Sequence, residues 1–379
     1  MIAVALSLFW FSVALILYTY LGYPVLIRML PARRDARTPR RDDPPRVSVV
    51  MAVRNEEAMV GRRIDDLLAQ DYPEDRIEII VVSDGSVDGT ERVVKERMQL
   101  DGRVRFIGLP NPAGKAVALN AGLREADGEI VVFADARQRF NREAVRRLVE
   151  RFENPEVGAV SGELILKREP SQIGEGVSAY WSYEKRLRRA ESDAGSMIGA
   201  TGCIYAIRKA LFVPIPEGTL LDDVWVPMQI VLNGHRAVFE PGAVAFDSVS
   251  KDASQEFRRK VRTLAGNLQI VYLMPELILP WRNPVAFQFI SHKLLRLAAP
   301  FALILILLSN LFLRDGIYAV TLSGQAVWYF LGLAGAIRTG GGLFRKLVSF
   351  PAAFLVLNAA AVVGTILFLR GKKDLWVRG

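Results

Sequence analysis

Four stretches of this chain carry no charged residue: Met1–Ile27, Leu297–Leu313, Gly316–Ile337 and Leu347–Leu369. They run from 17 to 27 residues, and a helix needs about 20 apolar residues to cross a hydrocarbon core. The chain has 379 residues, 49 Lys and Arg against 40 Asp and Glu, so the 290 residues outside these stretches hold every charge. That density is typical of soluble protein or a little above. Disordered, collagen-like and purely soluble chains are thereby excluded. What remains is a membrane protein with one aqueous domain of about 270 residues, Arg28 to Arg296, between the first span and the last three. Cys203, the only cysteine, cannot form an internal disulfide, and with His235 and His292 it does not make a typical zinc or haem site.

Seven arginines between Arg28 and Arg46, opposed by Asp35, Asp42 and Asp43, follow the first span. The positive-inside rule then places the aqueous domain in the cytoplasm and the N-terminus outside. The net charge of +9 fits contact with anionic lipid, and no nucleic-acid-binding pattern accompanies it. Three further crossings would put the tail 370–379 outside, whereas its Arg370, Lys372, Lys373 and Arg378 favour the inside. A re-entrant segment near Pro351, or an exception to the rule, would each reconcile the two. Residues 267–296 mix apolar and aromatic residues with Pro275, Pro280 and Pro284, as short amphipathic helices at a membrane surface do. The expected division is a span over 1–30, a basic linker over 31–46, the aqueous domain over 47–266, interface helices over 267–296, and spans with a basic tail over 297–379.

Within the aqueous domain, Arg46–Val53, Ile77–Ser83, Val104–Ile107 and Glu129–Ala134 are β-branched runs alternating with helical patterns. Such alternation predicts an α/β domain with a mostly parallel sheet covered on both faces. Ligands in such sheets sit at the carboxyl ends of strands, where this sequence places Asn55-Glu56-Glu57, Asp84-Gly85-Ser86 and Asp135. The Ser83–Thr90 segment reads equally as a turn with a helix cap and as a carboxylate for ribose or base. The other strand-end residues tip it toward the second. Neither a G-x-G-x-x-G loop nor a Walker A sequence is present, so dinucleotide oxidoreductases and P-loop ATPases are excluded.

The segments VMAVRNEE, VVSDGSVDGT, GKAVALNAG, VVFADA, GATGCIYAIRK, LLDDVW and RRKVRT follow one another between Val47 and Thr263. In that order they resemble the inverting family 2 glycosyltransferases with a GT-A fold. The likeness is closest to the membrane-embedded branch of cellulose, chitin, hyaluronan and poly-N-acetylglucosamine synthases and ceramide glucosyltransferases. The resemblance implies a GT-A domain flanked by one N-terminal and about three C-terminal transmembrane helices. It also implies a multi-pass protein of the cell membrane that binds membrane lipids, a nucleotide-sugar donor, expected to be UDP-linked, and a polysaccharide or lipid acceptor.

Carried onto this chain, the resemblance places Val53, Glu56 and Asp84 around the nucleoside, Lys115 and Arg262 on the donor diphosphate, and Arg259 among the nucleotide-sugar contacts. Asp135 matches the first Asp of a D-x-D motif, which implies a divalent cation, Mg2+ or Mn2+, but Arg137 stands where the second Asp is expected. Asp222 and Asp223 match an acidic pair whose second member is the general base, and burial is expected to raise its pKa. Arg262 matches the arginine of Gln-x-x-Arg-Trp, while Arg259 and Thr263 replace Gln and Trp. Gly202 and Cys203 fall near the acceptor, and Trp225 is expected to supply the aromatic surface that Thr263 lacks. The expected activity is inverting transfer to a hydroxyl acceptor at the cytoplasmic membrane face, in polysaccharide synthesis. Single-sugar transfer to a ceramide-like or polyprenyl lipid is the alternative within this class. A catalytically inactive membrane scaffold, raised by Arg137, is the alternative outside it.

Overall fold

The computed structural model describes residues 1–33, 43–167, 174–248, 253–313, 315–337 and 342–371. Most of the basic linker and of the basic tail therefore lies outside the described residues. The uncharged N-terminal stretch forms α1 (Ile2–Leu17) and α2 (Tyr23–Met29), joined through a π-helical turn at Tyr18–Gly22. The β-branched runs then alternate with helices as β1 (Val47–Val53), α3 (Glu57–Leu68), β2 (Ile77–Asp84), α4 (Thr90–Leu100), β3 (Val104–Leu109), α5 (Lys115–Glu125) and β4 (Ile130–Ala134). A less regular half follows: β5 (Arg139–Phe140), α6 (Ala144–Glu150), β6 (Val157–Lys167), α7 (Gly174–Ala194), β7 (Ile204–Arg208), α8 (Asp222–Leu232) and β8 (Arg236–Ser248). The chain ends in α9 (Ala253–Leu273), α10 (Ala286–Phe289), α11 (Leu295–Phe312), α12 (Ile317–Ile337) and α13 (Gly342–Leu369).

All eight strands join one sheet in the order β3-β2-β1-β4-β7-β6-β8-β5. Pairs within β1–β4 are parallel, as is β6 with β8, while β7 runs antiparallel to both neighbours and β5 antiparallel to β8. The sheet is thus mixed, with parallel pairs in the majority. Side chains on a strand alternate between faces. Val50, Ile80, Val82, Val131 and Phe133 accordingly enter one buried layer, with α5 and α8, and Val49, Met51, Ile79, Val81 and Val132 enter the other, with α3 and α6. Both faces are dry, which is why β1, β2 and β4 are nearly continuous runs of Val, Ile, Ala, Met and Phe.

Four helical segments are long and apolar enough to cross a membrane: Ile2–Met29, Ala286–Phe312, Ile317–Gly335 and Leu347–Leu369. Two expectations need correction here. Residues 267–296 are not a string of separate surface helices. α9 runs on to Leu273, and α10 passes through a π-helical turn, Ile290–Leu294, directly into α11. Nor does Pro351 interrupt the last segment, because it sits inside the continuous α13. Proline is tolerated in membrane helices where neighbouring helices satisfy the freed backbone groups. Tyr272 and Trp281 remain exposed beside the spans, as aromatic residues at a membrane interface do.

Candidate active site

Strand-end loops make the nucleotide side of the site. Asn55 has a positive φ of 54°, which asparagine adopts more readily than most residues. Its Oδ1 accepts from the Val87 amide at 2.9 Å, and its own amide donates to Ser86 Oγ at 3.1 Å. The amides of Glu56 and Glu57 donate to Thr90 Oγ1 and Asp88 Oδ2, at 2.8 and 3.1 Å. Asn55-Glu56-Glu57 and Ser86–Thr90 therefore form one cross-braced wall. Glu56 is half-buried beside Asp135 and Arg137, and burial raises its carboxyl against the pull of Arg137. The Val53 side chain is buried in the core, leaving its main chain for any ligand.

Asp84 closes β2 and is itself buried. Its carboxylate accepts from the Ala113 amide at 2.6 Å and from the Gly114 amide at 3.0 and 3.1 Å. Gly114 has φ +94°, a conformation that costs a glycine little. Asp84 thus fixes the loop from which Lys115 begins α5. The Lys115 ammonium lies 3.1 Å from Asp135 Oδ1 and 3.4 Å from Asp222 Oδ2. Burial alone would lower its pKa, but Asp135, Asp222 and Asp223 hold it above the usual lysine value.

Asp135 follows β4, and its carbonyl accepts from Nε of Arg63 at 3.1 Å. Arg63 is fully buried, stacked 3.9 Å over the Phe140 ring and paired with Asp66 at 2.5 Å. Burial lowers its pKa, with Asp66 opposing that shift. Arg137 is half-exposed, 3.9 Å from Asp247 Oδ2, the same oxygen that accepts from Gln138 Nε2 at 2.7 Å.

Asp222 and Asp223 begin α8, where the helix dipole favours acidic residues. The carboxyl that burial pushes up, to about 6, is Asp222, with Lys115 pulling it down and Asp223 and Asp135 adding to the rise. Gly202 packs against Asp223: a β-carbon there would stand 2.9 Å from Asp223 Oδ2. Cys203 is buried, and burial pushes its thiol up, so it holds its proton and is no nucleophile.

Lys115, Asp135, Asp223, Gly202, Arg259 and Arg262 all line one cavity of about 1040 Å³. Cys203, Asp222 and Thr263 border it as well. It continues between the apolar helices, where Leu17 of α1, Ile306 of α11, Trp328 of α12 and Phe354 of α13 form its wall. Trp225 is a correction. It is buried in the core layer with Val224 and Met228 and does not line the cavity, so the aromatic surface expected of it is absent there. Val53, Glu56 and Asp84 are not among the residues of its wall.

The sequence reading missed Arg63, Asp247 and a group on α7 and the start of α11. Glu184 takes Arg296 Nη1 at 2.7 Å and His292 Nε2 at 3.0 Å, while His292 Nδ1 lies 2.7 Å from Glu191. Tyr23 donates to Glu191 at 2.6 Å. The only sequence signal for these was ionisable residues in otherwise apolar surroundings at His292, Lys293 and Arg296.

Residues 48–213 match the family model "Glycosyl transferase family 2". The poly-beta-1,6-N-acetyl-D-glucosamine synthase of Staphylococcus epidermidis is 26% identical over 230 residues, 59% of this chain and 55% of that protein. Its namesake from Staphylococcus aureus (strain COL) is 25% identical over 230 residues, with the same coverage of 59% and 55%. The chain thus spans about half the length of these curated relatives. Among solved structures, the mannosyltransferase PcManGT from Pyrobaculum calidifontis, in complex with GDP-Man and Mn2+, superposes with a TM-score of 0.67. That match covers 96% of this chain and 99% of the other at 24% identity, a likeness of fold.

Proposed function

We propose that residues 48–213, which match the glycosyl transferase family 2 model within a fold like that of PcManGT, carry out an inverting transfer of sugar from a nucleotide-sugar to a hydroxyl acceptor at the membrane. One observation carries this reading. The Asp223 carboxylate, the Lys115–Asp135 pair and Arg262 share a cavity that runs on between the apolar helices. Asp223 takes the proton of the acceptor hydroxyl as its oxygen attacks the anomeric carbon. The bond from that carbon to the diphosphate breaks on the opposite face, and configuration inverts. Lys115 and Arg262 supply positive charge to the departing diphosphate, in a site where buried charge acts strongly. Asp222 holds Lys115 toward the reaction.

Among the described residues no cluster of three or more His, Cys, Asp or Glu could hold a metal. The donor set is one carboxylate, Asp135. Asp135 would hold a hard cation, Mg2+ or Mn2+, of the kind that commonly takes one or two carboxylates plus phosphate, and when bound it would supply Lewis-acid stabilisation of the leaving charge. Arg137 adds charge nearby.

The favoured role is synthesis of a polysaccharide, as in the named relatives, by a multi-pass protein of the cell membrane with its domain in the cytoplasm. A second reading, transfer to a lipid-borne acceptor, is favoured by the apolar lining of the cavity between the spans and by Thr263 in place of tryptophan. The purified full chain, incubated with radiolabelled UDP- and GDP-sugars, each divalent cation and membrane lipid extract, tests both. Long labelled products support the first reading and labelled lipid the second. Absence of turnover with every donor overturns the enzyme. Asp223→Asn is expected to lower kcat by about 10²–10⁴-fold; full activity in that variant would remove Asp223 as base.

A further inference from the structure

Besides the cations already described, the cavity wall carries Arg188, Lys293 and Arg296. Two of them are held. Arg188 Nη1 donates to Thr201 Oγ1 at 3.0 Å and its Nε lies 3.4 Å from Glu184, while Arg296 Nη1 donates to Glu184 at 2.7 Å. His292 lies between Glu184 and Glu191, so both carboxylates of α7 are engaged, and the third that acts on Lys293, Asp223 across the cavity, makes no ion pair with it within 4 Å. Lys293 differs. It lines the cavity only partly exposed, and no hydrogen bond or ion pair within 4 Å reaches its ammonium among the described residues.

An ammonium removed from bulk water without a partner is costly. Lysines near the ends of membrane helices ordinarily extend to the headgroup region. This one instead faces a cavity that it shares with Asp223. An ionisable residue in such a segment pairs within the bundle or marks a substrate pathway, and Lys293 has no such pair among the described residues. The missing partner is an anion. The donor diphosphate has its own cations in Lys115, Arg259 and Arg262, so Lys293 offers a second anionic position. The helix that carries Lys293 continues into α11, whose Leu303 and Ile306 line the apolar part of the cavity. At 1.5 Å per residue they stand about 15–20 Å farther along the helix.

We propose that Lys293, with Arg188 beside it, binds the phosphate of a lipid-linked acceptor. The acceptor's apolar chain occupies the helix-lined part of the cavity, and its hydroxyl, beyond the phosphate, meets Asp223. The proposal rests on the transferase reading and chooses within it: a phosphate-bearing lipid, in preference to a neutral lipid or a free saccharide. The transfer step is the one already described, with the lipid phosphate unchanged by it.

Binding of farnesyl phosphate and of farnesol to the full chain in detergent, followed by native mass spectrometry, tests the site. The wild type is expected to retain the phosphate at least about tenfold better than the alcohol, the range of one charge-assisted contact. Lys293→Gln is expected to lose that preference and Lys293→Arg to keep it. UDP and GDP affinities, measured by calorimetry, are expected to be equal in all three proteins, which also reports that the variants are folded. Equal preference in wild type and Lys293→Gln overturns the proposal. So does displacement of farnesyl phosphate by an equal concentration of inorganic phosphate, which would make the site one for free anions. Weakened nucleotide binding in Lys293→Gln, with Lys293→Arg normal, would assign the cation to the donor and overturn it likewise. Neither probe is turned over, so failure of the transferase reading shows separately as absent sugar transfer.

Discussion

Burial separates the two carboxylates that begin α8. Asp222 is the inner one, its carboxyl raised to about 6 by burial and by neighbouring negative charge despite Lys115. A carboxyl raised in the folded state keeps its proton there after the unfolded chain has lost it, so stability falls as pH climbs from about 4 to about 6. Asp222→Asn removes that cost. It is expected to raise stability at pH 7.5 by up to about 3 kcal/mol, with the gain absent near pH 4. Thermal unfolding of the full chain at both pH values measures this, and a variant less stable than wild type at pH 7.5 would mean that the contact with Lys115 outweighs desolvation. Asp223 depends on its neighbour Gly202, where a β-carbon would stand 2.9 Å from Oδ2. Gly202→Ala is expected to displace the carboxylate and lower kcat about tenfold or more. KM for the donor and the melting temperature should change little, and a rise in donor KM at constant kcat would contradict that placement. The residues of these motifs were legible because they are polar and sit at strand ends. Arg63 was not: one arginine in a helical pattern reads as solvated surface, and only the fold puts it beneath Asp135.

At the scale of elements, the half of the sheet built from β1 to β4 was legible and the remainder was not. The first four strands are β-branched runs separated by single helices, a pattern with one simple parallel solution. β7 enters antiparallel between β4 and β6, and β8 returns beside β6 after a long excursion through α7 and α8. No local period records such non-sequential pairing. The continuity of α10, the π-helical turn and α11 was hidden for a related reason. His292, Lys293 and Arg296 break the apolar run, and the partners of His292 and Arg296 lie about 100 residues away on α7. Within the legible half, α5 carries Lys115 to the site and lies close on the sheet. A β-carbon on Gly122 would come within 2.5 Å of Val50 Cγ1 and 3.0 Å of Val82 Cγ2. Gly122→Leu is expected to push α5 off the sheet and cost about 1–3 kcal/mol. Because Lys115 moves with the helix, nucleotide affinity should fall with stability. Destabilisation with unchanged UDP or GDP binding would show that the Asp84–Gly114 contacts alone hold Lys115 in place.

For the molecule as a whole, the proposed transfer needs the α/β domain and the apolar helices in fixed register, since the cavity is formed by both. The joint is a buried ionic group. Glu184 and Glu191 of α7 meet Tyr23 from the first span, and His292 and Arg296 from the helix that begins the second. These residues lie as much as 273 positions apart in sequence (Tyr23 to Arg296), which is why no motif announced them. Burial by itself would raise the Glu184 carboxyl, but His292, Arg296 and Arg188 hold it well below the usual value. A carboxylate depressed in the folded state contributes stability above its unfolded pKa and loses that contribution as pH falls through the folded one. The joint is therefore expected to hold through neutral and mildly acidic pH and to weaken only in strong acid. Glu184→Gln removes the charge at every pH and takes from Arg296 and His292 the carboxylate they share, a loss of about 3–5 kcal/mol for a buried pair. Hydrogen exchange of the full chain locates the damage. Protection should fall in α7 and in residues 286–296, while β1, β2 and β4 exchange as in the wild type, because the sheet has its own two apolar layers. If protection in α7 stayed at the wild-type level, the spans would be held to the domain by apolar packing, and the ionic group would not be the joint.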